Sequence, residues 1–149
     1  MNFRSYKKED KDRLVEIFHS NCPKYFNEND INDFIDFLNN YADKNYLVVI
    51  ENNNIIGCGG HYTKADYHGI AWVMFENGSI GFKHIFKVAD SFYQKIDQNI
   101  KAEKRRLPIL INTTQLLEKL FNRYQFKTYQ IIKDGFGIGL DEYKMKKVI

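Results

Sequence analysis

The stretch Ile70–Phe92, IAWVMFENGSIGFKHIFKVADSF, places a phosphate-binding type of element in the middle of the chain. Ile70 to Phe75 are all apolar, too short a run for a helix of their own, and read as a strand buried on both faces. Glu76-Asn77-Gly78-Ser79 breaks the run. Ile85, Val88, Ala89, Phe92, Ile96 and Ile100 then recur at helical spacing. The first N–H groups of a helix have no internal partners, and the helix dipole favours negative charge there. A strand entering a helix through a glycine-containing loop therefore suits an anion, most often phosphate. A strand–loop–helix connection without a ligand is the plain alternative. The loop lacks the spacing and the Lys-Ser/Thr of a P-loop, and it is not GxGxxG.

Other chemistry-bearing residues are scattered. His61 and Tyr62 follow Gly59-Gly60 and would point to opposite faces of a strand. His68 and His84 have no visible partner in the sequence. No His/Cys/Asp/Glu group has metal-ligand spacing, so no metal is expected. Cys22 and Cys58 are the only cysteines and form no motif, which fits free thiols and a cytoplasmic setting.

The elements that must position these residues follow from pattern. Asn2–Tyr6 reads as a first strand. A helix from Lys8 carries Leu14, Ile17 and Phe18 on one face and ends by Pro23. Tyr25 and Phe26 lie in a loop. Asn29 or Asp30 caps a second helix with Ile31, Phe34, Ile35, Leu38 and Tyr41 on its apolar face. Tyr46–Glu51 and Ile55–Thr63 are strands joined by Asn52-Asn53-Asn54, which is hairpin chemistry. Tyr67–Phe75 continues the antiparallel meander, so the long helix after it does not belong to a Rossmann crossover. Pro108 precedes a strand at Ile109–Asn112. Thr113 or Thr114 caps a helix carrying Leu116, Leu117, Leu120, Phe121 and Tyr124. Lys127–Lys133 is strand, Asp134–Gly139 a glycine-rich loop, and Asp141–Val148 a final strand.

With 149 residues, 44% of them hydrophobic and 15% aromatic, the chain is expected to form a single domain, 1–149, with a substantial core. A net charge of +3 is too mild to imply nucleic acid. The basic run Lys101–Arg106, KAEKRR, reads as a solvated helix end whose cations match the dipole. The N-terminus is charged and unlike a signal peptide, and no apolar run reaches the ~18 residues that span a bilayer. No membrane partner is expected.

The ordered set of elements resembles the GCN5-related N-acetyltransferase (GNAT) family. The matching stretches are IIGCGG at Ile55–Gly60, the segment 70–92, Asn112-Thr113-Thr114-Gln115, FNRYQF at Phe121–Phe126, and DGFGIGLDEYKM at Asp134–Met145. The resemblance covers almost the whole chain. It implies an α/β (α+β) fold: a mixed, mostly antiparallel sheet of about seven strands with four helices, splayed between strands four and five. Acetyl-CoA would lie in the splay, with its pyrophosphate on the loop before the third helix. On the family pattern Gly81 keeps the last glycine. Ser79 replaces the first, and Glu76 stands in place of Arg or Gln, where its charge would repel pyrophosphate by about 1 kcal/mol or more.

The same resemblance implies the cofactor contacts: Met74 and Phe75 at the thioester, Asn77, Gly78, Ser79, Ile80, Gly81, Phe82 and Lys83 at the pyrophosphate, and Asn112 along the pantetheine arm. Lys83 and Lys87 reach phosphate or are solvated surface. The family's usual acid, a Tyr, is Phe121 here, so Tyr124 is the candidate donor to the leaving thiolate, or else a core tyrosine. His61 is a candidate base, and it or Tyr62 would face the acceptor. Tyr25, Phe26, Phe136 and Leu140 would line the acceptor pocket. The expected function is N-acetyl transfer from acetyl-CoA, as cosubstrate, to a primary amine of a small molecule or peptide. The alternative is a weakened GNAT-fold protein that binds acyl-CoA or a partner as a sensor or structural subunit. A homodimer is an open option.

Overall fold

A computed structural model describes residues 1–81 and 83–148. Its strands are β1 (Asn2–Ser5), β2 (Tyr46–Glu51), β3 (Asn54–Thr63), β4 (His68–Phe75), β5 (Ile109–Thr113), β6 (Lys127–Gly137) and β7 (Leu140–Lys147). Its helices are α1 (Lys11–Ser20), α2 (Ile31–Asn40), α3 (Ile85–Ala102) and α4 (Glu118–Arg123). The strands form one seven-stranded sheet in the order β1-β2-β3-β4-β5-β7-β6, with β4 and β5 parallel and the other pairs antiparallel.

Local chemistry accounts for the punctuation. Asn52 and Asn53 both take positive φ, 51° and 66°, as the tight hairpin between β2 and β3 requires. Asp10, only 6% exposed, accepts from the Lys7 backbone N–H at 2.8 Å and from both Arg4 guanidinium nitrogens at 2.8 and 2.9 Å. That network fixes the chain as it leaves β1 for α1. Asn21, also buried, donates to the carbonyls of Ile17 and Phe75 at 2.9 and 2.8 Å, tying the end of α1 to the end of β4.

The sheet is covered on both faces, so its central strands are apolar throughout rather than alternating. On one face Leu14, Ile17 and Phe18 of α1 and Phe34, Phe37 and Leu38 of α2 pack on Tyr46, Val48, Cys58 and Met74. On the other, Phe92, Ile96 and Ile100 of α3 and Phe121 of α4 pack on Leu47, Val49, Ile70, Ile109, Ile111 and Met145. Burying one such face of a helix is what stabilises it within the fold.

Several boundaries differ from the sequence expectation. The α3 helix starts at Ile85, as the apolar periodicity indicates, but others shift. The helix expected from Thr113 or Thr114 starts only at Glu118: Thr113 completes β5, and the Thr114 hydroxyl caps a turn by accepting from Leu116 N–H at 3.2 Å. The β6 strand extends to Gly137 and absorbs most of the glycine-rich loop. No helix among the described residues is long and apolar enough to cross a membrane.

Candidate active site

The pairing of β4 with β5 runs His68–Ile109, Gly69–Leu110, Ile70–Ile111 and then ends. Both strands continue, β4 to Phe75 and β5 to Thr113, so the sheet opens between them. A bulge in β4 lies at the start of the opening. The β3 register shifts between Cys58 and Gly60, and Trp72 takes φ 49°, an unusual conformation for a bulky residue. As a result Ala71 and Trp72 both face α1 and α2, whereas Ile70, Val73 and Phe75 face α3. Strain of this kind persists only where the surroundings enforce it. Here Phe18, Phe26 and Phe34 hold the Trp72 ring, at centroid distances of 6.3, 5.8 and 5.1 Å, and the Tyr46 hydroxyl donates to its carbonyl at 2.8 Å.

The two residues expected at the thioester differ in placement. Met74 is 4% exposed and packs on the α1/α2 side, so its side chain is core. Beyond it, Glu76 N–H donates to the Ile56 carbonyl on β3 at 2.7 Å. Successive N–H groups of an extended chain point to opposite sides, so the Phe75 N–H points away from β3, toward the opening. Asn112 is exposed near the end of β5, past the last β4–β5 pair.

The loop before α3 is arranged otherwise than expected. Arg13 of α1 grips the Glu76 carboxylate at 2.8 and 2.9 Å, and these hydrogen bonds lower its pKa from the ordinary value. The expected repulsion is thus largely offset within the protein. Asn77 N–H donates to the Ser20 hydroxyl at 3.1 Å. Ser79 N–H and its hydroxyl both donate to the Glu76 carbonyl, at 3.0 and 2.7 Å. Those two residues therefore hold the loop together. Gly78 takes φ 82°, which suits glycine. A Cβ at Gly81 would meet nothing nearer than the His84 ring at 4.0 Å. Lys83 and Lys87 are exposed. Phe82 lies outside the described residues.

The expected acid and base are both committed elsewhere. Tyr124 donates its hydroxyl to Asp90 of α3 at 2.8 Å and stacks on Tyr93, with centroids 4.3 Å apart. Burial and the Asp90 charge raise its phenol far above the ordinary value. His61 is 2% exposed, on the α3 side of β3, and its Nε2 contacts Glu103 just past the end of α3. It pairs with Ile70, roughly 17 Å along β4 from Phe75. A base must reach the amine, and the buried His61 ring is held by Glu103 on the α3 side of the sheet.

Tyr62 does lie on the α1/α2 side, its ring against Gly69, where any Cβ would come within 2.2 Å of it. Desolvation, then the neighbouring Tyr67, pushes its phenol up to about 12. Phe26 stacks on Phe18 at 5.3 Å. Next to it, Asn27 donates to the Phe136 carbonyl at 3.1 Å, which brings the loop between α1 and α2 against the β6–β7 end. Gly137, at φ 135°, is needed for that approach: a Cβ there would sit 2.4 Å from Asn27 Nδ2. Tyr25 is half-buried, with Lys24 over its ring at 5.1 Å, and Leu140 is buried.

Sequence spacing hid one grouping. His61, His68 and Glu103, from β3, β4 and the end of α3, bring their ligand atoms within 4.8 Å of one another. Three elements far apart in the chain contribute, so no linear motif marks them.

No protein-family profile matches the sequence, and no curated protein matches it. Solved structures do match in fold. A Desulfovibrio desulfuricans protein assigned to the GNAT acetyltransferases aligns over 99% of this chain and 98% of its own, with TM-score 0.73 and 11% identity. The ribosomal-protein-alanine N-acetyltransferase of Brucella melitensis aligns over 100% of both chains, with TM-score 0.66 and 15% identity. A Mycobacterium tuberculosis protein solved in complex with CoA aligns over 100% of this chain and 99% of its own, with TM-score 0.71 and 12% identity. The open β4–β5 pair, the bulged β4 and these alignments together give the chain the fold of the GCN5-related N-acetyltransferases.

Proposed function

We propose that this protein transfers an acetyl group from acetyl-CoA directly to a primary amine of a small molecule or peptide. The observation that carries this reading is the separation of β4 from β5 beyond Ile70–Ile111. It leaves an unpaired strand edge, and an edge N–H is a ready donor to a carbonyl oxygen. The pantetheine arm lies along that edge, with the thioester oxygen on the Phe75 N–H. The pyrophosphate rests on the backbone of Gly78, Ile80 and Gly81 ahead of α3, with Lys83 adding charge. Asn112 contacts the arm from the β5 side.

The acceptor enters from the α1/α2 side, between Tyr25, Phe26 and Phe136. Its nitrogen attacks the thioester carbon, the C–S bond breaks, and the thiolate leaves. Tyr62 pairs with Gly69, farther along β4 from Phe75 than His61's partner Ile70, so it lines the α1/α2 side without touching the reacting amine. Solvent removes the amine proton and protonates the thiolate, since the Tyr124 hydroxyl is held by Asp90. That same commitment favours a second reading, an acyl-CoA sensor or structural subunit without turnover.

The test is thiol release from acetyl-CoA with a panel of small amines, polyamines and N-terminal peptides. Transfer predicts release that requires both protein and amine. Saturable acetyl-CoA binding with no release across the panel favours the sensor.

A further inference from the structure

We propose that His61, His68 and Glu103 form a binding site for a divalent transition metal, zinc being the best match, which pins the end of α3 to β3 and β4.

The donor set is of the right kind. Two imidazoles and one carboxylate suit zinc, at bond lengths of about 2.0–2.2 Å, with a fourth position left for water. Both imidazole side chains are fully buried, and the Glu103 side chain is 28% exposed, which leaves a route in from solvent. Ligands on a shared tetrahedral zinc lie roughly 3.3 Å apart. Glu103 Oε2 is 3.9 Å from His68 Nδ1 and in contact with His61 Nε2, so small side-chain shifts complete the geometry.

The surroundings orient the ligands. His68 Nε2–H donates to the Arg105 carbonyl at 3.1 Å, which leaves Nδ1 as the lone-pair nitrogen facing the cluster. A backbone carbonyl in that position is the usual support for a metal-bound histidine. Thr63 Oγ1 lies 2.8 Å from His68 Nδ1 and 3.0 and 3.1 Å from the Glu103 oxygens. Its single proton cannot serve both acceptors. The buried His61 Nδ1 has no hydrogen-bond partner among the described residues. The Glu103 carboxylate and the His68 Nδ1 lone pair thus share a single hydroxyl proton, and a cation placed between them would meet both. Glu103 is also the one acid in the run KAEKRR, and it turns inward just past the C-terminus of α3. A carboxylate at that negative helix end is unfavourable alone and favourable beside a cation.

The role is structural. The eighteen-residue α3 separates this cluster from the loop before the helix by about 27 Å. The site therefore stands independently of the acetyl-transfer reading.

The experiment titrates Zn2+ and Co2+ into metal-free full-length protein. It follows stoichiometry, Co2+ visible absorption, the ring NMR signals of the four histidines and the melting temperature. The expected result is one ion per chain, a tetrahedral Co2+ spectrum, and shifts confined to His61 and His68. The melting temperature should rise by roughly 5–10 °C at a hundredfold excess over Kd. Glu103→Gln keeps the shape and the hydrogen bond to Thr63 and should weaken binding at least tenfold. Because that variant could lose stability, the ring signals of the wild type provide the independent readout. No binding of either ion overturns the proposal, as do shifts only at exposed His19 or His84, or unchanged affinity in folded Glu103→Gln. The three residues would then form a hydrogen-bonded, proton-bearing cluster.

Discussion

Tyr124 Oη lies 2.8 Å from Asp90 Oδ1, and through that bond α4 is fastened to α3. Arg123 holds the other Asp90 oxygen at 2.9 Å, and the Tyr93 and Tyr124 rings stack within 6° of parallel. The sequence alone offered Tyr124 as a proton donor. In the fold its proton already has an acceptor, and removal of that proton is disfavoured by burial and by the carboxylate.

Tyr124→Phe separates these roles. The account expects a stability loss of about 1 kcal/mol, read from denaturant melts. Turnover per folded molecule should fall by less than tenfold, against the ~10²-fold or more expected for a lost general acid. A larger drop in kcat with unchanged stability would restore Tyr124 to the mechanism.

A Glu76 carboxylate facing pyrophosphate would make Glu76→Gln tighten CoA binding by removing a like charge. The Arg13 pair changes that expectation. Both partners are partly exposed, so the pair is worth about 0.2–1 kcal/mol. Acetyl-CoA affinity should change little, because the charge is already neutralised. A double-mutant cycle with Arg13→Gln should return a coupling of that size. Marked tightening would mean the carboxylate faces the ligand after all.

Gly81→Val probes the cradle with little burden on the fold. Nothing lies within 4 Å of a new Cβ except the His84 ring at that limit. The melting temperature should stay near wild type while acetyl-CoA binding is lost, since a branched side chain would stand between backbone and phosphate. Wild-type binding by Gly81→Val would place the pyrophosphate elsewhere.

Acid should expose the Arg4–Asp10 pair. Hydrogen bonds from Arg4, working against desolvation, hold the Asp10 carboxyl below its ordinary value of about 3.9. Its folded pKa is depressed, so its contribution is complete above about pH 3.9 and is lost as pH falls through the lower folded value. Asp10→Asn should cost about 1.5–3 kcal/mol at neutral pH. Its stability should also fall less than that of the wild type between pH 5 and 2, measured by thermal melts.

The legible parts of the fold were those set by local pattern. Asn52-Asn53 gave the hairpin because few other residues accept two successive positive φ angles. The Ile85–Ile100 stripe gave α3 because its period is helical. The order of strands around them led to the GNAT fold. What stayed hidden depends on contacts distant in sequence. Arg13 and Glu76 are 63 residues apart, and His61 and Glu103 are 42 apart. The bulge at Trp72 arises from β3 register and the aromatic packing around the ring, which the run IAWVMF does not reveal. The short α4 reflects Thr113 being drawn into β5, a tertiary choice over a good capping residue.

The central claim is that acetyl-CoA occupies the opening between β4 and β5. Titrating acetyl-CoA into 15N-labelled protein tests it most directly. The account predicts saturable one-to-one binding, with the largest amide shifts at Val73–Phe75, at Gly78, Ile80 and Gly81, and at Ile111–Thr113. The amides of His61 and Glu103 should stay in place. Absence of shifts at millimolar acetyl-CoA, or shifts centred away from these segments, would contradict it.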